Sequence, residues 1–159
     1  MDKAEFSAAV ERYQDTVYRA ALHYFGNRQD AEDAVQEVFL RLYAAGKTFS
    51  SENYLRRWLL RVTVNVCKDA LKSPWRKKRV YLDALPETPV FDEPAQRELY
   101  QAVMALPEKY RTVLNLFYYE ELSVREIAEI LETSPSTVTT RLSRARTHLK
   151  DRLEVWQDE

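Results

Sequence analysis

The sequence predicts an all-α protein built as two small helical domains joined by a flexible linker, the C-terminal one a four-helix domain containing a helix-turn-helix. Three observations support that prediction. Glycine is nearly absent from the 159 residues, with only Gly26 and Gly46. No stretch shows the period-two alternation of a half-buried strand, whereas apolar residues return at three- and four-residue steps between recognisable helix caps. Hydrophobic residues make up 45% of the chain, enough for one modest core or two small ones, and the order of helices and breaks favours two.

From about Lys3 to Phe25, the positions Phe6, Val10, Tyr13, Val17, Ala21 and Tyr24 describe one long amphipathic helix. Gly26-Asn27 stops it. Asp30 is expected to cap a second helix, ended by Gly46, with Val35, Val38, Phe39 and Leu42 as its apolar stripe. Asp30, Glu32 and Asp33 suit the positive end of the helix dipole. Asp33 and Glu37, however, are like charges four residues apart, which costs roughly a few tenths of a kcal/mol. That face fits a basic partner, or else a solvated surface eased by a Glu37–Arg41 pair.

Ser51 is placed to cap a third helix running to about Lys72, where Ser73-Pro74 ends it. Leu55, Trp58, Leu59, Val62 and Val66 are expected inward, with Leu60, Val64, Cys67 and Leu71 widening the apolar side. Arg57, Arg61, Asn65, Lys68 and Lys72 follow one another along the remaining face, and Arg76, Lys77, Lys78 and Arg79 continue the charge. Asp69 is the only acid after Glu52 and before Asp83. A phosphate-tracking surface with Asn65 as a base reader fits this pattern, and a solvated basic face is the alternative.

Residues 80–94 hold three prolines and mostly acidic charges, and read as an extended linker. Pro94 opens a helix through Leu106 with Leu99, Val103 and Leu106 inward. Pro107 opens another, whose Tyr110, Val113, Leu114 and Phe117 are expected to pack on the helix-turn-helix.

The last stretch is the most informative. Ser123 and Glu126 form a capping-box pattern with Leu122 and Ile127 as a hydrophobic staple, so a helix begins near Val124. Its apolar positions are Val124, Ile127, Ala128 and Leu131. Glu132-Thr133-Ser134 leaves room only for a tight corner, and Ser134-Pro135 supplies an N-cap and a first-turn proline for a second helix. If Val138, Leu142, Ala145 and Leu149 are buried, Ser136, Thr137, Thr139, Thr140, Ser143 and Arg144 face outward. Hydroxyls there can reach base edges or phosphates, and Arg141, Arg144, Arg146, Lys150 and Arg152 can neutralise backbone charge. A plain helical hairpin with a solvated second helix is the competing reading; DNA binding through a helix-turn-helix is favoured.

A net charge of −1 is no obstacle, because the charges are segregated and local fields decide nucleic-acid contact. Cys67 is alone, so neither an internal disulfide nor a cysteine metal site can form. Asp30, Glu32, Asp33 and Glu37 could supply carboxylates to a metal site, but no Glu-x-x-His pair accompanies them. No apolar run approaches the roughly 20 residues of a membrane span, and the N-terminus lacks a signal-peptide pattern. No catalytic residue, metal, cofactor or direct membrane insertion is expected.

Three segments, DAEDAVQEVFLRLY, FSSENYLRRWLLRVTVNVCKDAL and LPEKYRTVLNLFYYEELSVREIAEILETSPSTVTTRLSRAR, together resemble the extracytoplasmic-function (group IV) sigma factors of the sigma-70 family, in family order and over nearly the whole chain. The resemblance implies a dissociable subunit that directs core RNA polymerase to promoters, and the lone cysteine fits a reducing cytoplasm. It implies region 2 over residues 1–79, a linker over 80–94 and region 4 over 95–159. By match, Asp33, Gln36 and Glu37 dock on the clamp helices of the largest polymerase subunit. The loop Phe49, Ser50, Ser51, Glu52 and Asn53, with Asn65 and Lys68, meets the minus-ten element by match, and the basic stripe read from spacing adds Arg57, Arg61 and Lys72 to that surface. Ser136, Thr137, Thr139, Thr140, Arg141, Ser143 and Arg144 meet the minus-thirty-five element. An anti-sigma factor is a further implied partner. Many relatives carry a basic residue directly after the recognition-helix valine where this chain has Thr139, so the resemblance does not carry over a promoter sequence. The alternative is a helix-turn-helix regulator that binds operator DNA without polymerase.

Overall fold

The computed structural model describes residues 1–72 and 92–157, and every described element is helical. Trp75, the basic run 76–79 and the expected linker as far as residue 91 lie outside the described residues. The chain divides into two compact units, Met1–Leu85 and Pro86–Glu159.

The first unit packs α1 (Lys3–Phe25), α2 (Arg28–Ala45) and α3 (Glu52–Lys72) against one another. Asp2 and Glu5 form a reciprocal capping box at the start of α1, their side chains accepting each other's backbone N–H at 2.8 and 3.1 Å. Gly26 ends the helix in the left-handed region, φ 77°, with its N–H on the Leu22 carbonyl at 2.8 Å. The next cap differs from expectation: Asn27, not Asp30, caps α2. Asn27 Oδ1 accepts the Asp30 N–H and its Nδ2 donates to Asp30 Oδ2, both at 2.9 Å. Starting one turn earlier places Asp30 in the first turn of the helix and gives its buried carboxylate the Asn27 amide as a donor.

Val17, Ala21, Ala31, Val38, Leu59, Leu60 and Cys67 form the sealed centre of this unit. The alanines let backbones approach, and each large side chain so enclosed contributes about 1.5–3 kcal/mol. Trp58, Val62 and Leu71, expected inward, are only half-buried. Thr63 takes a place the apolar pattern passed over: it is buried, and its hydroxyl donates to the Leu59 carbonyl at 2.7 Å.

In the second unit α4 (Pro94–Met104), α5 (Glu108–Leu114) and α6 (Val124–Leu131) all pack on α7 (Pro135–Gln157). Within α4 only Ala102 is buried, joined by Leu106 just after the helix, whereas Leu99, expected inward, lies a turn too early and is 46% exposed. Arg111 donates from Nη1 to the Leu106 carbonyl at 2.9 Å, tying the start of α5 to the end of α4. After Leu114 the chain winds into a π-helical turn, Asn115–Tyr119, closed by the Glu120 N–H on the Asn115 carbonyl at 3.0 Å. The wider turn advances the side chains: Leu116 is buried, Phe117 is only half-buried, and Tyr118 and Tyr119 are exposed.

Candidate nucleic-acid interface

The corner between α6 and α7 is built by backbone chemistry. Ser123 and Glu126 complete the expected capping box at 3.1 and 3.0 Å, over buried Leu122 and Ile127. At the other end Thr133 N–H bonds the Ala128 carbonyl at 3.0 Å and Glu132 N–H the Glu129 carbonyl at 3.3 Å, the Schellman pairing. Its left-handed position is filled by Glu132, φ 54°, instead of the usual glycine. Ser134 Oγ then accepts the Thr137 N–H at 3.2 Å and Pro135 opens α7.

Val138, Leu142 and Ala145 are buried and Leu149 half-buried, which turns the opposite face of α7 to solvent. Ser136, Thr139, Thr140, Ser143 and Arg144 are exposed there, and Thr137 and Arg141 flank them half-buried. The hydroxyls are not equivalent. Thr139 Oγ1 donates to the Pro135 carbonyl at 3.1 Å, and the Ser136 and Thr137 hydroxyls meet Ser134 Oγ at 3.1 and 2.8 Å. Thr140 and Ser143 have no such tie among the described residues and keep full donor and acceptor capacity. Arg146, counted in the sequence among the phosphate neutralisers, lies over the rings of Phe117 and Tyr118, 5.7 and 5.5 Å from their centroids, and donates to Tyr118 Oη.

Beside this face is a surface concavity of about 230 Å³. It is lined by Ser136, Thr137, Thr140, Arg141 and Arg144 of α7 and by Lys109 and Tyr110 of α5. Sequence reasoning missed Lys109 because it lies outside the helix-turn-helix and only folding brings it there.

In the first unit the loop before α3 is an aromatic nest. Phe49 packs 5.5 Å from Tyr54 and 5.4 Å from Trp58, centroid to centroid, and Lys47 Nζ lies 3.4 Å from Tyr54 Oη. Ser51 caps α3 through the Tyr54 N–H at 3.1 Å. Ser50, Ser51, Glu52 and Asn53 are exposed. Glu52 is also a strut: it accepts from Tyr13 Oη at 2.7 Å and pairs with Arg12 at 2.7 Å. Those two partners lower the Glu52 pKa, the tyrosine hydrogen bond foremost. Arg57, Arg61, Asn65, Lys68 and Lys72 recur along one face of α3, Arg61 and Lys72 exposed and the others half-buried. Asp69, the lone acid of that stretch, pairs with Arg41 of α2 at 3.4 Å.

On α2, Asp33, Gln36 and Glu37 are exposed. Glu37 does meet Arg41, at 3.2 Å. The same face continues into Leu40 and Tyr43, 63% and 71% exposed, which the periodicity did not single out. Among the described residues no helix is long and apolar enough to cross a membrane.

A helical unit with an acidic, apolar face on α2 and a cationic one on α3, followed by a helix-turn-helix unit with an outward polar helix, has the build of a DNA-binding protein with a further surface suited to a protein partner. Similarity to known proteins agrees. Residues 9–77 match the family model for sigma-70 region 2, and residues 96–149 that for sigma-70, region 4. The chain is 33% identical to the ECF RNA polymerase sigma factor SigW of Bacillus subtilis, over 96% of this chain and 90% of the relative. It is 29% identical to the ECF RNA polymerase sigma-E factor of Haemophilus influenzae, over 96% and 89%. Among solved structures, the fold is similar to sigma factor RpoE of Bartonella quintana in complex with the anti-sigma factor NepR, with a TM-score of 0.75 at 19% identity over 95% of this chain and 98% of that one. It is also similar to CnrH in complex with the cytosolic domain of CnrY, with a TM-score of 0.66 at 24% identity over 97% and 90%. The chain belongs to the extracytoplasmic-function group of the sigma-70 family: it is an alternative sigma factor that directs promoter recognition.

Proposed function

We propose that the two units divide this work, with residues 1–79 docking on core RNA polymerase and opening the minus-ten element, residues 95–159 reading the minus-thirty-five element, and 80–94 tethering them in the cytoplasm. The observation that carries the reading is the outward face of α7, where the untied hydroxyls of Thr140 and Ser143 stand beside Arg144 on a helix whose other side is buried. That is the side-chain set a major-groove reader needs. Supporting it, the α2 face joins Asp33, Gln36 and Glu37 to exposed Leu40 and Tyr43, a charged and apolar mixture suited to a protein partner; the clamp helices of the largest polymerase subunit are the proposed one. The nest of Phe49, Tyr54 and Trp58 beside the cations of α3 suits an unstacked base and its backbone. RpoE of Bartonella quintana is held by an anti-sigma factor, and for this chain too the proposal includes a protein inhibitor that covers the DNA faces.

Two variants separate the roles. D33K/E37K is expected to lose co-purification with core polymerase while keeping its helical circular-dichroism signal; retained co-purification would refute the docking role. T140A/R144A is expected to keep core binding and lose the preference for an intact minus-thirty-five element. Undiminished preference would remove α7 as the reader.

A further inference from the structure

We propose that Lys109 grips a backbone phosphate of the promoter duplex, so that the concavity between α5 and α7 is a notch for DNA beside the recognition helix. This rests on the reading that α7 enters the major groove. Lys109, Arg141 and Arg144 border the notch, and among the described residues no carboxylate lines it. Among the described residues none of the three is in an ion pair. Three cations around one hollow without an internal counter-charge raise a local positive potential that an anion from outside relieves. The Thr140 hydroxyl, which also lines the hollow, adds a donor with no tie among the described residues.

The lysine is held in place. Its Nζ lies 5.2 Å from the ring centroid of Tyr110, and that ring is itself buried, 5.5 Å from the ring of His148. An ammonium is a compact charge with three donors, suited to a phosphate and poor at telling bases apart. Lys109 therefore fixes the register of the recognition helix on the duplex without reading sequence.

The test uses holoenzyme reconstituted from core polymerase and the full chain, with phosphate-ethylation interference on promoter DNA. K109A is expected to erase interference at one phosphate flanking the minus-thirty-five element and leave the others. Its affinity falls several-fold, equally on intact and altered minus-thirty-five sequences, and the slope of log affinity against log salt becomes shallower by about 0.9. K109R restores all three. An unchanged pattern and slope in K109A, with R144A still weakening minus-thirty-five binding, overturns the proposal and leaves the reading of α7 standing. A defect that K109R fails to restore also overturns it, since the loss is then of packing. If T140A and R144A are equally without effect, the reading of α7 falls as well.

Discussion

Glu52 shows how one side chain can serve the fold at the edge of a DNA surface. It is the first residue of α3, and its carboxylate joins Tyr13 and Arg12 of α1. The same bonds hold its pKa below the ordinary carboxylate range. A group whose pKa is depressed on folding contributes stability that is present above its unfolded pKa and is lost as pH falls through the folded value. E52Q is therefore expected to be less stable than the parent near pH 7, by about 0.2–1 kcal/mol given the exposure of the pair. The gap closes in acid, once the pH falls below the depressed folded-state pKa and both carry a neutral side chain. Urea titrations at the two pH values check this; a gap independent of pH would mean that charge has no part in it. Because Glu52 also lies in the loop expected to meet the minus-ten element, its carboxylate repels DNA phosphates less when paired with Arg12 than it would alone.

At the scale of elements, helix ends were the most legible part of the sequence, since caps are local chemistry. Ser51, Ser123 with Glu126, Ser134-Pro135 and Gly26 all act where expected. The cap of α2 misled because Asn27 and Asp30 are both good caps one turn apart, and the buried carboxylate of Asp30 takes its donor from Asn27. Leu99 misled because an apolar stripe does not say how far along a helix its neighbours extend, and Thr63 was passed over because a hydroxyl bonded to its own helix's carbonyl can be buried like an apolar group. The π-helical turn had no sequence signal. Of the DNA face, the exposed positions of α7 were legible from periodicity. The internal ties of Thr137 and Thr139, the diversion of Arg146 and the arrival of Lys109 depend on contacts between positions that local patterns cannot pair. The corner between α6 and α7 can be tested by itself. A non-glycine residue in the left-handed region costs about 1–2 kcal/mol, and glycine gives back about 0.5–1 kcal/mol in chain entropy. E132G is thus expected to raise stability by about 0.5–1 kcal/mol, seen as a higher urea midpoint with an unchanged slope. A lower midpoint would show that the Glu132 side chain contributes more than its backbone conformation costs.

On the scale of the whole molecule, a net charge of −1 coexists with cationic faces on α3 and α7. The free chain is expected to hold DNA weakly, and useful affinity is proposed to come when both faces are fixed on one rigid support. Core RNA polymerase is the proposed support, and dependence on it separates this chain from a repressor that binds its operator unaided. The most direct measurement is run-off transcription on genomic fragments with core polymerase alone and with core plus this chain, transcript starts being mapped. Defined starts, preceded by shared minus-ten and minus-thirty-five sequences, are expected only when the chain is added. Transcription indistinguishable from that of bare core on every fragment would contradict a sigma-factor role.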